Sequence, residues 1–251
     1  MKKNVLLKKL TVALVAGLLS VGVLSGCSNK ETKSIQTEKE TNVIATHDDN
    51  LHKDKVTAGE AEKAIIEGNK RFVSGKLANK DLSSEVRKDL SKNGQHPFAV
   101  VLTCSDSRVA PELVFDQGLG DLFVIRDAGN VVDAIETGSV EYAVEHLNVP
   151  LVVVLGHEKC GAVQATIEGG EATPDIEVMI NKIKPSLDKI KVENKDAKQE
   201  EIASMVEDEN AKETVNELLK SSAIKHLVDS GKLKVVAAKY HLESGEVEFL
   251  K

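Results

Sequence analysis

The sequence predicts an α/β fold: a mostly parallel central sheet, four parallel strands plus a C-terminal edge strand, covered by helices. Short unbroken apolar runs, the pattern of strands buried on both faces, recur at 98–103, 122–125, 151–155 and 233–238. Segments with helical spacing of apolar residues fill the gaps, and strands alternating with helices call for parallel pairing. The 251 residues, 41% of them hydrophobic, are enough for a sizeable core.

The first 26 residues read as a secretory leader. Lys2, Lys3, Lys8 and Lys9 precede an apolar stretch of about fifteen residues, 10–24, short of the ~20 a spanning helix needs. Its ending, Leu24-Ser25-Gly26-Cys27, resembles the lipobox of bacterial lipoproteins, which implies cleavage before Cys27 and lipid on that cysteine. An uncleaved anchor is the other reading. Both place the remainder outside the cytoplasmic membrane of a bacterium. Cleavage leaves 225 residues and takes the formal charge from −7 to −11, so the lipid and not a basic patch would hold the chain to the membrane. Residues 27–56 read as a flexible tether, because between 28 and 54 Ile35, Val43, Ile44 and Leu51 are the only large apolar side chains. Residues 57–251 form the folded domain.

Thr57-Ala58-Gly59-Glu60 has the spacing of a capping box and opens a helix through about Val73, with Ala61, Ala64, Ile65 and Phe72 inward and Gly75 as a stop. Pro97 introduces the first strand; Pro150 introduces the third, which Gly156 closes. Between the second and third strands, Val140, Ala143, Val144 and Leu147 fall at i, i+3, i+4 and i+7 and form an inward stripe. A long helical stretch covers 175–229, with one stripe at Ile180, Ile183, Leu187 and Ile190, a kink expected at Pro185, and a second stripe from Val215 to Val228. Its charge-dense part, 191–212, is expected to be a solvated helix face or loop. The Ser244-Gly245 turn precedes a terminal edge strand at 246–250.

Composition excludes several function classes. Aromatic residues make up 3% and tryptophan is absent, which argues against a base-stacking platform. With 33 basic against 40 acidic residues there is no general basic surface, and no nucleic-acid partner is expected. Three cysteines are too few for a disulfide-stapled scaffold.

The remaining cysteines sit where chemistry is expected. Cys104 follows the first strand, within Thr103-Cys104-Ser105-Asp106-Ser107-Arg108; His157 and Cys160 follow the third, within Gly156-His157-Glu158-Lys159-Cys160-Gly161. Sites in open parallel sheets form beyond the carboxyl ends of the strands, where strand order reverses. If the first and third strands are neighbours, two thiolates and an imidazole converge, a set that suits Zn2+ with one position left for water. Taken singly, a cysteine closing a buried strand is more often small apolar filler. A Cys104–Cys160 disulfide is the other alternative in an oxidising compartment, although it leaves Asp106, Arg108 and His157 without a role.

Cys104-Ser105-Asp106-Ser107-Arg108-Val109, His157-x-x-Cys160-Gly161 and Ala128-Gly129-Asn130 resemble the β-class carbonic anhydrases, and the similarity runs from Glu67-Gly68-Asn69-Lys70-Arg71-Phe72 to the terminal strand. The resemblance implies one zinc per subunit held by Cys104, His157 and Cys160. It implies Asp106 and Arg108 as the catalytic dyad, and reversible hydration of CO2 to bicarbonate by zinc-bound hydroxide. It further implies a homodimer or higher even oligomer with a narrow substrate pocket at the subunit boundary. By position, Gln95, Phe123, Ala128 and Tyr142 match residues of that pocket, some contributed by the neighbouring subunit, and Gly161 matches the glycine after the second cysteine ligand. Zinc with two thiolates is neutral, whereas a three-histidine site keeps a double positive charge. The bound water is therefore expected to be less acidic than the ~7 of three-histidine carbonic anhydrases.

The chain departs from some relatives in one respect. A non-catalytic bicarbonate site in those proteins relies on a tryptophan three positions before the first cysteine; Val101 stands there, which implies that Asp106 stays off the zinc. Two other functions share these residues: hydrolysis of CO2-like molecules such as carbonyl sulfide or carbon disulfide on the same scaffold, and a non-catalytic zinc-binding surface lipoprotein. An intact Asp106–Arg108 pair argues against the latter, since a structural zinc needs no dyad.

Overall fold

The computed structural model describes residues 56–251. The leader, Cys27 and the tether up to residue 55 lie outside the described residues. Thirteen elements follow in chain order: α1 (Ala58–Val73), α2 (Ser84–Asn93), β1 (Ala99–Cys104), α3 (Pro111–Val114), β2 (Leu122–Asp127), α4 (Ala134–His146), β3 (Leu151–His157), α5 (Gly161–Glu168), α6 (Pro174–Glu193), α7 (Gln199–Leu218), α8 (Ser222–Asp229), β4 (Lys234–Tyr240) and β5 (Val247–Phe249).

The strands form a single sheet of order β2-β1-β3-β4-β5. The first four are parallel and β5 runs antiparallel to β4, as the apolar runs predict. The chain passes from β1 to β2 on one side and then to β3 on the other, so strand order reverses between β1 and β3. A crevice at their carboxyl ends follows from that topology.

The sheet is covered on both faces. Ala99 and Val101 of β1 face one apolar cluster with Ile65, Phe98, Phe115, Val153 and Leu155. Val100 and Leu102 face another with Val140, Val152, Val154, Leu218 and Ile224. Each such side chain, fully removed from water, contributes about 1.5–3 kcal/mol relative to exposure. The predicted capping box opens α1: Glu60 N–H donates to Thr57 Oγ1 at 3.3 Å, and Thr57 N–H donates to Glu60 Oε2 at 2.8 Å. Buried Asn69 ties α1 to the far edge of the sheet, donating to Gly245 O at 2.8 Å and accepting from Val247 N–H at 2.9 Å.

Several boundaries differ from expectation. Cys104 is the last residue of β1, not the first beyond it, because pairing continues to Cys104↔Asp127. Gly156 does not close β3; the ladder runs on through Gly156↔Lys239 and His157↔Tyr240. α7 lies against that strand interior: an added Cβ at Gly156 would make ordinary contact with Glu207 O at 3.4 Å and Ala211 Cβ at 3.5 Å. The helical stretch 175–229 divides into three helices, α6 to α8, and α6 continues through Pro185. The charge-dense segment 191–212 is not uniformly solvated, since Ile202, Val206, Glu207, Asn210 and Ala211 of α7 are buried. Strong local charge hid an inward face that is partly polar.

Candidate metal centre

Parallel pairing of β1 with β3, from Val100↔Val152 to Thr103↔Leu155, places Cys104 and His157 side by side at the carboxyl edge. Three further residues of extended chain would carry Cys160 about 10 Å beyond that edge. Instead Lys159 takes φ 53°, the left-handed region, and the chain folds back so that Cys160 becomes the N-cap of α5. The ligating atoms of Cys104, His157 and Cys160 lie within 4.8 Å of one another, and all three residues are buried. Both cysteines are free thiols, so the disulfide alternative is not realised.

The donor set suits a divalent cation. His157 Nδ1 lies 2.8 Å from Glu158 O, which assigns its proton to Nδ1 and leaves a lone pair on Nε2. That Nε2 is buried and has no hydrogen-bond partner among the described residues. Burial lowers the proton affinity of the ring, but neighbouring Cys104 and the Glu158 carbonyl outweigh it and the net shift is upward. Hydrogen bonding from Cys160, opposed by burial, pulls the Cys104 thiol well below its ordinary value. The Gly129 N–H, 3.3 Å from Cys104 Sγ, adds to that pull. Cys160 is pushed up by its bond to Cys104, by burial and by the charge on Cys104, although the N–H groups of Val163 and Ala162 in the first turn of α5 favour its thiolate. Two sulfurs this close cannot both ionise without a counter-charge, and a cation between them supplies it. Soft sulfur with imidazole matches zinc, and three protein ligands leave one position open.

Asp106 is beside this set. Its Oδ2 lies 4.0 Å from His157 Nε2. Arg108 forks onto the carboxylate, Nε to Oδ1 at 2.9 Å and Nη2 to Oδ2 at 2.6 Å, and the Arg108 N–H donates to Oδ1 at 2.9 Å. The side-chain bond from Arg108 is the largest cause holding Asp106 well below the usual carboxylate range. Arg108 Nη2 also donates to Lys159 O at 3.2 Å, joining the Asp106 loop to the turn that carries Cys160. Arg126 fixes the same loop from β2, with Nη2 donating to Asp106 O at 2.8 Å and to Cys104 O at 3.3 Å.

Asp127 closes β2 with Oδ1 accepting from Val131 N–H at 2.9 Å, and burial raises its carboxyl to about 7. The loop it caps contains Gly129 at φ 88°, where an added Cβ would stand 2.9 Å from Ile183 Cδ1 and 3.0 Å from Ala162 Cβ. Only glycine fits that corner, and its N–H is the donor to Cys104.

The chain does not gather all the expected pocket residues around its own cysteines. Ala128 follows β2 and Gly161 opens α5, both exposed near the cluster. Gln95 is exposed in the connection before β1, at the opposite end of the sheet. Phe123 pairs with Val100, four residues or about 13 Å of strand from Asp127. Tyr142 of α4 is 49% exposed, with its ring 6.3 Å from that of Phe123 and 5.3 Å from that of His146. Val101 is core, and His241 joins Glu158 through Nδ1 to Oε1 at 2.8 Å.

The family model described as "Carbonic anhydrase" matches residues 99–247. The chain is 42% identical over 194 residues to "Carbonic anhydrase 2" of Mycobacterium tuberculosis, covering 74% of this chain and 89% of that one. It is likewise 42% identical over 193 residues to "Carbonic anhydrase" of Mycolicibacterium smegmatis, covering 75% and 91%. Among solved structures, the β-carbonic anhydrase CcaA superposes with a TM-score of 0.63 at 27% identity, covering 76% of this chain and 95% of that one.

Proposed function

The chain belongs to the β-class carbonic anhydrases, and from that membership we propose how its residues carry out the family's zinc-dependent interconversion of CO2 and bicarbonate. Cys104, His157 and Cys160 would hold the zinc. Bound there, zinc supplies a Lewis acid that makes a water nucleophilic near neutral pH. Asp106 Oδ2 accepts the O–H of the reacting water, which directs the oxygen's lone pair at the CO2 carbon. Arg108 keeps the Asp106 carboxylate ionised and oriented, with its Nη2 shared between that carboxylate and the Lys159 carbonyl, so that Asp106 would be held from ligating the metal. The observation that carries these roles is the unpartnered His157 Nε2 facing two cysteines with Asp106 Oδ2 4.0 Å away.

CO2 hydration by the full chain tests the reading. Activity is expected in zinc-replete protein, to be lost on chelation and to return with zinc. It is also expected to rise above neutral pH, because a neutral zinc–dithiolate polarises water less than a dication. Absence of activity in zinc-replete protein, or a profile already flat below pH 7, would contradict it.

We further propose a homodimer or higher even oligomer in which Phe123 and Tyr142 serve the neighbouring subunit's site. What supports this is their paired, tilted rings in a partly exposed position away from their own cysteines, with Ile135 of α4 79% exposed nearby in sequence. The Leu24-Ser25-Gly26-Cys27 motif after four lysines supports an extracytoplasmic, lipid-anchored location. Expressed in a bacterium, wild-type chain is expected in the membrane fraction with a lipid mass on Cys27, and Cys27→Ala without it. A wild-type protein found soluble and unmodified would exclude the anchor.

A further inference from the structure

The two cysteines of the metal centre stand on different segments, the end of β1 and the N-cap of α5, yet one helix bonds to the backbone at Cys160 and at Gly129, the donor to Cys104. Along α7, Glu207, Asn210, Ala211 and Thr214 recur at i, i+3, i+4 and i+7 and form an inward stripe, exposed by 6%, 2%, 0% and 4%. Polar side chains are costly in such a place unless bonded, and these three all bond to backbone of the metal-centre loops. Glu207 Oε1 accepts the N–H of Cys160 at 3.3 Å. Asn210 Nδ2 donates to Gly129 O at 2.7 Å, and Thr214 Oγ1 donates to Asn130 O at 3.0 Å. The Gly129 residue held by Asn210 through its carbonyl donates its own N–H to Cys104 Sγ.

The stripe is itself anchored to the sheet. Lys239 of β4, 4% exposed, places Nζ 3.1 Å from Glu207 Oε2 and 2.9 Å from Asp208 Oδ1, and donates to Ser204 Oγ at 2.9 Å. Glu207 therefore has one oxygen on the central sheet and the other on the Cys160 peptide. Small Ala211 lets the helix come within reach of Gly156. An apolar stripe would fill the same volume, but it would leave the Cys160 N–H and the Gly129 carbonyl without these partners.

Resting on the zinc reading above, we infer that α7 is the positioning element of the metal centre. Glu207 fixes the peptide of Cys160 and Asn210 fixes the peptide of Gly129, so that both sulfurs stand where one ion can take them. Neither side chain touches the metal or the substrate. Outer groups of this kind typically change metal affinity 10- to 100-fold when removed.

The test is zinc affinity of the full chain, measured by competition with a chromophoric chelator, together with the thiolate charge-transfer band of the Co2+-substituted protein. Asn210→Leu and Glu207→Leu are expected to weaken zinc binding roughly 10- to 100-fold and to shift the Co2+ band. Glu207→Gln, which keeps an oxygen for the Cys160 N–H, is expected to restore most of the affinity. Asn69→Leu, which removes buried backbone bonds at the far edge of the sheet, is expected to lower the melting temperature without moving zinc affinity or the band. Affinities of the two leucine variants within threefold of wild type would overturn the inference. If Asn210→Leu does not fold, equal affinities for Glu207→Leu and Glu207→Gln would overturn it. Wild-type protein that binds no zinc would sink the zinc reading itself, a separate and recognisable outcome.

Discussion

Arg108→Ala is expected to retain zinc and lose CO2 hydration by about 100-fold or more, the range associated with removing a positioned proton-handling group. The variant strips both side-chain donors from the Asp106 carboxylate and leaves only the backbone N–H of residue 108. Two consequences follow. The Asp106 pKa returns upward toward ~3.9, so protonation begins to remove its acceptor character at higher pH than in wild type. The carboxylate also loses the fork that holds it away from the metal, and an ionised Asp106 becomes a competitor for the open position. The activity deficit should therefore be large at all pH values and widen only once pH falls below about 5, toward the ~3.9 of a free carboxyl. Asp106→Asn tests the same pair from the other side: it keeps the shape, loses the charge, and should be nearly as impaired without gaining a metal ligand. Zinc content beside kcat/KM across pH separates these effects from loss of metal. The stability consequence has a definite sign. A carboxyl with a lowered folded-state pKa stabilises the fold above its unfolded value and loses that contribution as pH falls through the folded value. Arg108→Ala should accordingly melt earlier than wild type at pH 7, with the gap closing in strong acid. Near-normal activity in zinc-loaded Arg108→Ala would remove the dyad from the mechanism.

The sheet was legible because its central strands are buried on both faces and have almost no polar residue to blur them. Val100, Val101 and Leu102, or Val152, Val153 and Val154, admit one reading once proline and glycine bound them. Where polar residues carry the structure, the same logic fails. Cys104 and His157 belong to strands because of ladder partners that local sequence does not specify, Asp127 and Tyr240. The cluster could be anticipated on condition that β1 and β3 are neighbours, since the reactive residues directly follow apolar runs. The α7 stripe could not, because glutamate, asparagine and threonine at inward positions are indistinguishable by hydropathy from a solvated helix. A signal did exist, in the 3–4 spacing of Glu207, Asn210, Ala211 and Thr214 in register with Val206 and Leu218, but charged neighbours masked it. Gln95, Phe123 and Tyr142 illustrate a different limit, for their match to pocket residues comes from resemblance alone, and the fold of one chain does not bring them to its own cysteines.

Cys104→Ser should abolish both zinc retention and activity while leaving the fold standing. The serine hydroxyl is a far poorer donor to zinc than a thiolate, although its oxygen can still accept the Gly129 N–H. His157 Nε2 and Cys160 would remain as a two-ligand site, too weak to compete with a chelator. The fold is expected to survive because the two apolar clusters against the sheet exclude the metal ligands, and in the third cluster, which holds Cys104 and Cys160, serine is nearly the size of the cysteine it replaces. Small zinc modules, by contrast, have no comparable core and unfold when the metal leaves. Zinc should nevertheless stabilise wild type by mass action, by about 4 kcal/mol at a free concentration 1,000 times its Kd. Part of that gain comes from giving His157 Nε2 a partner it lacks among the described residues. The expected pattern is a wild-type melting temperature that rises with added zinc and a Cys104→Ser melting temperature that does not. The variant should have an unchanged far-ultraviolet circular dichroism spectrum and no measurable CO2 hydration. Zinc bound with wild-type affinity by Cys104→Ser would move the metal elsewhere. Loss of circular dichroism on chelating the wild type would show that zinc holds the fold as well as the reaction.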